Sequence, residues 1–121
     1  MHSACEKGKH MIFPCPPAGA VVVVFVSQRR SGGDQGYDEA AQAMEILAAR
    51  QPGYLGFVAA RGTDGVGIAV SYWTDDAAAQ AWRDEPAHAR IREMGRTGWY
   101  DSYALAVAAV ERSYDWQREP A

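Results

Sequence analysis

The chain has 121 residues, 48% of them hydrophobic, with four tryptophans, two cysteines and a formal net charge of −3. One domain with a single core fits this size, and the apolar content is too high for a disordered segment. Lysine and arginine are scattered rather than striped, which argues against nucleic acid as a partner, and no apolar run is long enough to span a bilayer.

Residues 1–12 read as a flexible N-terminal tail, 13–112 as the folded domain and 113–121 as a polar C-terminal tail. Met1 to His10 is polar and has no periodicity to bury, so it is expected to be loose. Cys5 and Cys15 are too few for a disulfide scaffold, their spacing fits no zinc ligand set, and they are expected to be incidental thiols. The front of the chain imitates a secretory signal, because Lys7 and Lys9 precede the apolar run Ala18 to Val26. That run ends in Ser27-Gln28-Arg29-Arg30 without a small-residue cleavage site, and its valines suit a strand. The expected location is therefore cytoplasmic.

Ala20 to Ser27 (AVVVVFVS) is apolar on both faces, the pattern of a central strand. A glycine-rich break, residues 31–36, leads to Tyr37, Ala40, Ala41, Met44, Leu47 and Ala48 at helical spacing, with acidic residues in the first turn. Pro52-Gly53 stops this helix. Tyr54 to Arg61 and Val66 to Trp73 read as a hairpin about Gly62-Thr63-Asp64-Gly65. In its second strand Val66, Ile68, Val70 and Tyr72 share one face. The mostly small Gly67, Ala69, Ser71 and Trp73 share the other, which leaves room there for a ligand, a helix or a second subunit. Thr74 or Asp75 caps a helix over Asp76 to Arg83, and Pro86 opens another that carries His88, Ile91, Arg92 and Gly95 along one face. Trp99 to Glu111 reads as a long last strand.

The order β-α-β-β-α-β is the split βαβ arrangement, a ferredoxin-like α+β fold with an antiparallel sheet. Right-handed crossovers place the first and third strands at the centre and the second and fourth outside. With helices on one face, the other face of the sheet is left apolar and uncovered, and a second copy of the chain is the expected cover.

Phe13-Pro14, Ser27-Gln28-Arg29, Gly36-Tyr37, Gln51 to Gly56 (QPGYLG), Gly67 to Trp73 (GIAVSYW), Ala81-Trp82-Arg83, His88 and Trp99-Tyr100, taken in order, resemble one bacterial branch of the antibiotic biosynthesis monooxygenase family. The resemblance spans Phe13 to Arg112. It implies a homodimer, a dimeric α+β barrel, and one of several activities: cofactor-independent oxygenation of aromatic polyketides or quinols, or haem degradation. Haem-degrading relatives carry a pocket tryptophan where Trp82 stands and a polar amide where Gln28 stands. Their axial histidine falls near Arg92, and His88 is one turn earlier.

No metal cage, phosphate loop, dinucleotide fingerprint or Ser-His-Asp set is visible in the sequence. An aromatic set with a few polar tips remains, which suits a flat apolar substrate. In a cofactor-free oxygenase an electron-rich substrate reacts with oxygen after losing a proton, so the protein must orient a ring, stabilise an anion and move protons. Gln28 and Arg29 are the candidates to hold the oxyanion and His88 to move the proton. Trp82, Trp73, Tyr37, Tyr72, Ile91 and Arg92 are the candidate substrate contacts. Gln28, Trp82 and His88 are expected to line one cavity with Trp73 nearby. The functional expectation is a monooxygenase of a small aromatic or quinol-like metabolite, with no cofactor. The alternatives are a non-catalytic small-molecule-binding or stress-associated dimer, and a haem-binding or haem-degrading protein. Each tryptophan also has a plain reading as a core anchor, and His88 as a hydrogen-bonded boundary residue.

Overall fold

A computed structural model describes residues 3–4, 13–32 and 35–120. The elements in chain order are β1 (Ser3–Ala4), β2 (Val21–Arg29), α1 (Tyr37–Ala49), β3 (Tyr54–Arg61), β4 (Val66–Trp73), α2 (Asp76–Asp84), α3 (Pro86–Met94), a π-helical turn (Gly95–Trp99), β5 (Tyr100–Ala109) and β6 (Tyr114–Asp115). The main sheet is antiparallel, in the order β3-β4-β2-β5. The expected α+β arrangement is therefore present, with the first and third long strands at its centre.

The helices begin where the sequence supplies caps. Gly36 precedes α1 with φ of 75°, a left-handed conformation that costs glycine nothing. Asp75 caps α2 by accepting from the Ala78 N–H at 2.8 Å, a contact of the kind that contributes about 1 kcal/mol. Glu85 caps α3 by accepting from the N–H groups of Ala87 and His88, and Pro86 sits in the first turn.

Residues opposite one another in an antiparallel pair share a face. Val21, Val23, Phe25 and Ser27 of β2 stand opposite Trp73, Ser71, Ala69 and Gly67 of β4 and Ala109, Val107, Leu105 and Tyr103 of β5. This is the face that the helices cover. Its core gathers Val21, Ala48, Trp73, Ala79 and Trp82, with Val23, Met44, Leu47, Tyr54 and Ala78 against it. The small face of β4 therefore receives the helices. The opposite face carries Val22, Val24 and Val26 with Val66, Ile68, Val70 and Tyr72, and Ile68 there is 50% exposed.

The structure departs from the sequence reading in three places. The last strand starts at Tyr100 rather than Trp99, because Trp99 is wound into the π-helical turn and buried, its indole N–H donating to Gln35 O at 2.9 Å. Of the expected N-terminal tail only Ser3–Ala4 is described, and it pairs with Tyr114–Asp115 of the expected C-terminal tail; Cys5 lies outside the described residues. Cys15 is disulfide-bonded rather than an incidental thiol.

Candidate functional site

Trp73, Trp82 and His88 form a stack. Trp73 is fully buried and faces Trp82 with ring centroids 6.0 Å apart and planes 25° off parallel. The His88 ring lies on the other side of Trp82, 4.1 Å away and only 10° off parallel. Tyr54 meets Trp73 edge-on, and the Trp73 indole donates to Ser71 Oγ at 2.9 Å. The break between α2 and α3 creates this arrangement, since α3 folds back at Glu85-Pro86 and lays its first turn over the last turn of α2. His88 Nδ1 reaches Trp82 O at 2.9 Å. A carbonyl oxygen can only accept, so Nδ1 carries the proton and Nε2 keeps the lone pair. Burial, with Arg92 adding to it, lowers the His88 pKa against the opposing pull of the Trp82 carbonyl and Glu85. The imidazole is thus neutral near pH 7.

The other end of the same sheet face holds a second cluster. Arg29 lies flat on Tyr37, its guanidinium carbon 3.6 Å from the ring centroid. Arg61 donates to Tyr37 Oη at 2.9 Å, to Ser27 Oγ at 3.2 Å and to Gly65 O at 2.6 Å. Tyr37 packs edge-on against Trp99 and Tyr100. Phe25 packs against Tyr100 and Tyr103, and Arg96 donates to Tyr103 Oη at 2.7 Å. Burial, and then the hydrogen bond with Tyr37, push the Tyr100 phenol well above its ordinary value, so it stays protonated. A shift in the β2–β5 register at Gln28/Arg29 and the π-helical turn both fall here, two irregularities that recur beside functional sites.

Between the two clusters an apolar strip is open. Leu105 and Val107 lie on the helix-covered face, yet they are 55% and 53% exposed, because α3 does not extend over β5. Phe25 and Tyr103 continue the strip to the arginine end.

The expected cavity of Gln28, Trp82 and His88 does not form. Gln28 shares the opposite sheet face with Val26 and Val24, and its amide donates to Asp64 O at 3.0 Å. It also lies seven residues along β2 from Val21, the partner of Trp73, which is about 23 Å of strand. Tyr72 is on that opposite face as well, next to Pro14 and Gly56. Arg29 and Tyr37 are together, but at the far end of the sheet from His88. Ile91 and Arg92 are half-buried on α3, and Arg92 donates to Arg83 O at 3.1 Å. Sequence reading offered Tyr103 as a hydroxyl donor beside Tyr37 and Tyr72, but missed Arg61, Ser27 and Tyr100. The strand alternation contained the signal, since Arg61 stands opposite Gly67 on the small face of the hairpin. A shallow cleft lined by Gln51, Gly53, Thr74, Asp75, Ala78 and Ala81 adjoins the first cluster, since Ala78 packs against the core that holds Trp73 and Trp82, and it contains none of the arginine-end residues. Among the described residues no three His, Cys, Asp or Glu side chains gather as a metal set would, and no helix is long and apolar enough to cross a membrane.

Comparison with known proteins is consistent with this architecture. The family model for antibiotic biosynthesis monooxygenase matches residues 20–94. The uncharacterized protein YqjZ of Bacillus subtilis (strain 168) is 46% identical over 99 residues, which is 82% of this chain and 84% of that protein. Among solved structures, SnoaB, a cofactor-independent oxygenase from Streptomyces nogalater, superposes with a TM-score of 0.67 at 16% identity, over 79% of this chain and 97% of that one. Rv0793 from Mycobacterium tuberculosis gives 0.67 at 15% identity, over 75% and 94%. At such identities these two likenesses are of fold alone.

Proposed function

Because this chain belongs to the antibiotic biosynthesis monooxygenase family, we propose that it is a cofactor-independent monooxygenase of a small aromatic or quinol-like metabolite. The site of this reading is the open strip on the helix-covered face of the sheet. One observation carries it: the exposed Leu105 and Val107 run, through Phe25 and Tyr103, into the Arg29–Tyr37 pair. A flat ring rests on the apolar strip, and its hydroxyl oxygen meets a cation and two phenols.

Conversion of a phenol to a quinone by O2 releases one water and balances without an outside reductant. One oxygen atom enters the ring, the other leaves as water, and the substrate supplies all four electrons. The protein's task is then to favour the phenolate and hold the ring in place. Arg29 and Tyr37 stabilise the developing oxyanion, and protonated Tyr100 supports Tyr37. On this reading His88 keeps Trp82 and the α2–α3 corner in place and does not act on the same oxygen, since the two clusters are a strand length apart.

We propose also that two copies pack through the sheet face bearing Val24, Val26, Ile68 and Val70. On this apolar surface Val26 and Ile68 are exposed in the single chain while Val24 and Val70 are half-buried, and an isologous contact hides it in both copies at once.

Oxygen uptake with a panel of phenols and hydroquinones tests the enzymatic reading. Arg29→Gln is expected to reduce the rate about 10²–10³-fold, the loss found when one oxyanion donor is removed. No uptake with any of the panel overturns the reading in favour of a small-molecule-binding dimer without turnover.

A further inference from the structure

Two guanidinium groups converge on one ring. Arg29 lies 3.6 Å and Arg61 5.5 Å from the Tyr37 centroid. They are therefore within about 10 Å of each other, no farther than the screening length at 0.1 M salt. Arg96, on Tyr103 at the same end of the sheet, is paired with Glu93 at 3.4 Å.

The place of Arg61 is built by its neighbours. Its side chain runs from β3 across β4 to reach β2, and it crosses at Gly67, where a Cβ would come within 2.5 Å of the guanidinium carbon. Beyond that slot it meets Ser27 Oγ, a hydroxyl on the central strand that is only 3% exposed. Tyr37 Oη and Gly65 O complete the seat. None of these oxygens belongs to a carboxylate, and among the described residues no carboxylate pairs with Arg61. The nearest acid in the hairpin, Asp64, uses Oδ1 to accept from the Val66 N–H at 3.0 Å. Arg61 is itself exposed, so a ligand can reach it.

The Arg61 guanidinium has no carboxylate partner among the described residues, so an anion that reaches it gains a charge-assisted pair. A guanidinium presents a planar fork that fits the two oxygens of a carboxylate. Position adds to the case. Ser27 stands opposite Tyr103, so Arg61 sits at the end of the Leu105–Tyr103–Phe25 strip and beside the Arg29–Tyr37 pair. A ring on the strip with its hydroxyl at Tyr37 directs a neighbouring substituent at Arg61.

We propose that Arg61, in the slot formed by Gly67 and Ser27, binds the carboxylate of the substrate, which makes the substrate a hydroxylated aromatic acid. This inference rests on reading the open strip as the oxygenation site. The test compares 2,5-dihydroxybenzoate with hydroquinone, which is the same ring without the carboxylate. Binding to the full chain is followed without oxygen, by calorimetry, so turnover does not enter. The wild type is expected to prefer the acid by at least about tenfold. Arg61→Gln should reduce that ratio to within about twofold. Gly67→Ala should do the same while keeping the charge, because the added methyl displaces the end of a flexible side chain rather than backbone. Equal affinities in the wild type, or a preference that survives in Gly67→Ala and in folded Arg61→Gln, overturns the proposal. The two readings fail separately. Selective binding of the acid with no oxygen uptake removes the oxygenase reading and leaves the carboxylate seat. Uptake from hydroquinone with no preference for the acid does the reverse.

Discussion

Trp82 is the side chain whose loss the structure prices most directly. It is 8% exposed and lies between Trp73, at 6.0 Å, and His88, at 4.1 Å. Truncation to alanine takes an indole out of a closed stack, and its neighbours sit on a sheet and a capped helix that cannot collapse into the gap. Such a change costs about 3–5 kcal/mol, and each aromatic contact adds about 0.5–1.5 kcal/mol beyond the area it buries. Against a total stability of roughly 5–15 kcal/mol, that is a large share. Urea unfolding at fixed protein concentration measures it, with Trp82→Ala, His88→Ala and the double variant completing a cycle. The His88 single variant should cost less, since a smaller ring at the boundary is lost. The two changes should couple by about 0.5–1.5 kcal/mol, because either one removes the same stack. A Trp82→Ala loss under about 1 kcal/mol, or strict additivity with His88→Ala, would refute the stack as a structural element.

The lowered pKa of His88 fixes the sign of a pH effect. The unfolded chain takes up the proton near pH 6.5 and the folded chain only below that, so this contribution is whole above pH 6.5 and is lost as pH falls through the window beneath it. Unfolding midpoints between pH 7.5 and 5 should therefore fall more steeply in the wild type than in His88→Ala, and parallel curves would count against the buried neutral imidazole. For assembly, light scattering at micromolar concentration should give twice the 13.2 kDa chain mass, and Ile68→Lys on the open face should shift the protein towards monomer. A wild-type monomer at that concentration, or a dimer indifferent to Ile68→Lys, would remove this face from the assembly.

The fold was legible because its signals are local. Helical spacing and Pro52-Gly53 bounded α1, the Gly62 to Gly65 turn joined the hairpin, and Glu85-Pro86 separated α2 from α3. Alternation in β4 separated a face of Gly67, Ala69, Ser71 and Trp73 from one of Val66, Ile68, Val70 and Tyr72. It could not say which face the helices would take, because small residues leave room for several kinds of neighbour. The packing of α2 onto Trp73 decided it. The start of β5 was misplaced for a different reason. Trp99 continues the apolar pattern of a strand, but its indole is held by Gln35, 64 residues earlier, in a contact that no window of sequence reveals.

The candidate site was legible only in part, and the misses follow from strand geometry. Trp73, Trp82 and His88 were expected together and are together, because the cap at Glu85 returns α3 onto α2. Gln28 was grouped with them because it ends a central strand. A strand end, however, has two faces, and the even positions of β2 point away from the helices. The next residue, Arg29, points the other way and joins Tyr37. Parity therefore separates two neighbours that sequence reading assigned to one oxyanion. The same parity exposes Arg61: it ends β3 on the helix-covered face and stands opposite the one residue of β4 that has no side chain to block it. An arginine beside a small residue on a neighbouring strand reads in sequence as a solvated hairpin charge. It becomes a seat for an anion only when register places a buried hydroxyl, Ser27, at the far side of the gap.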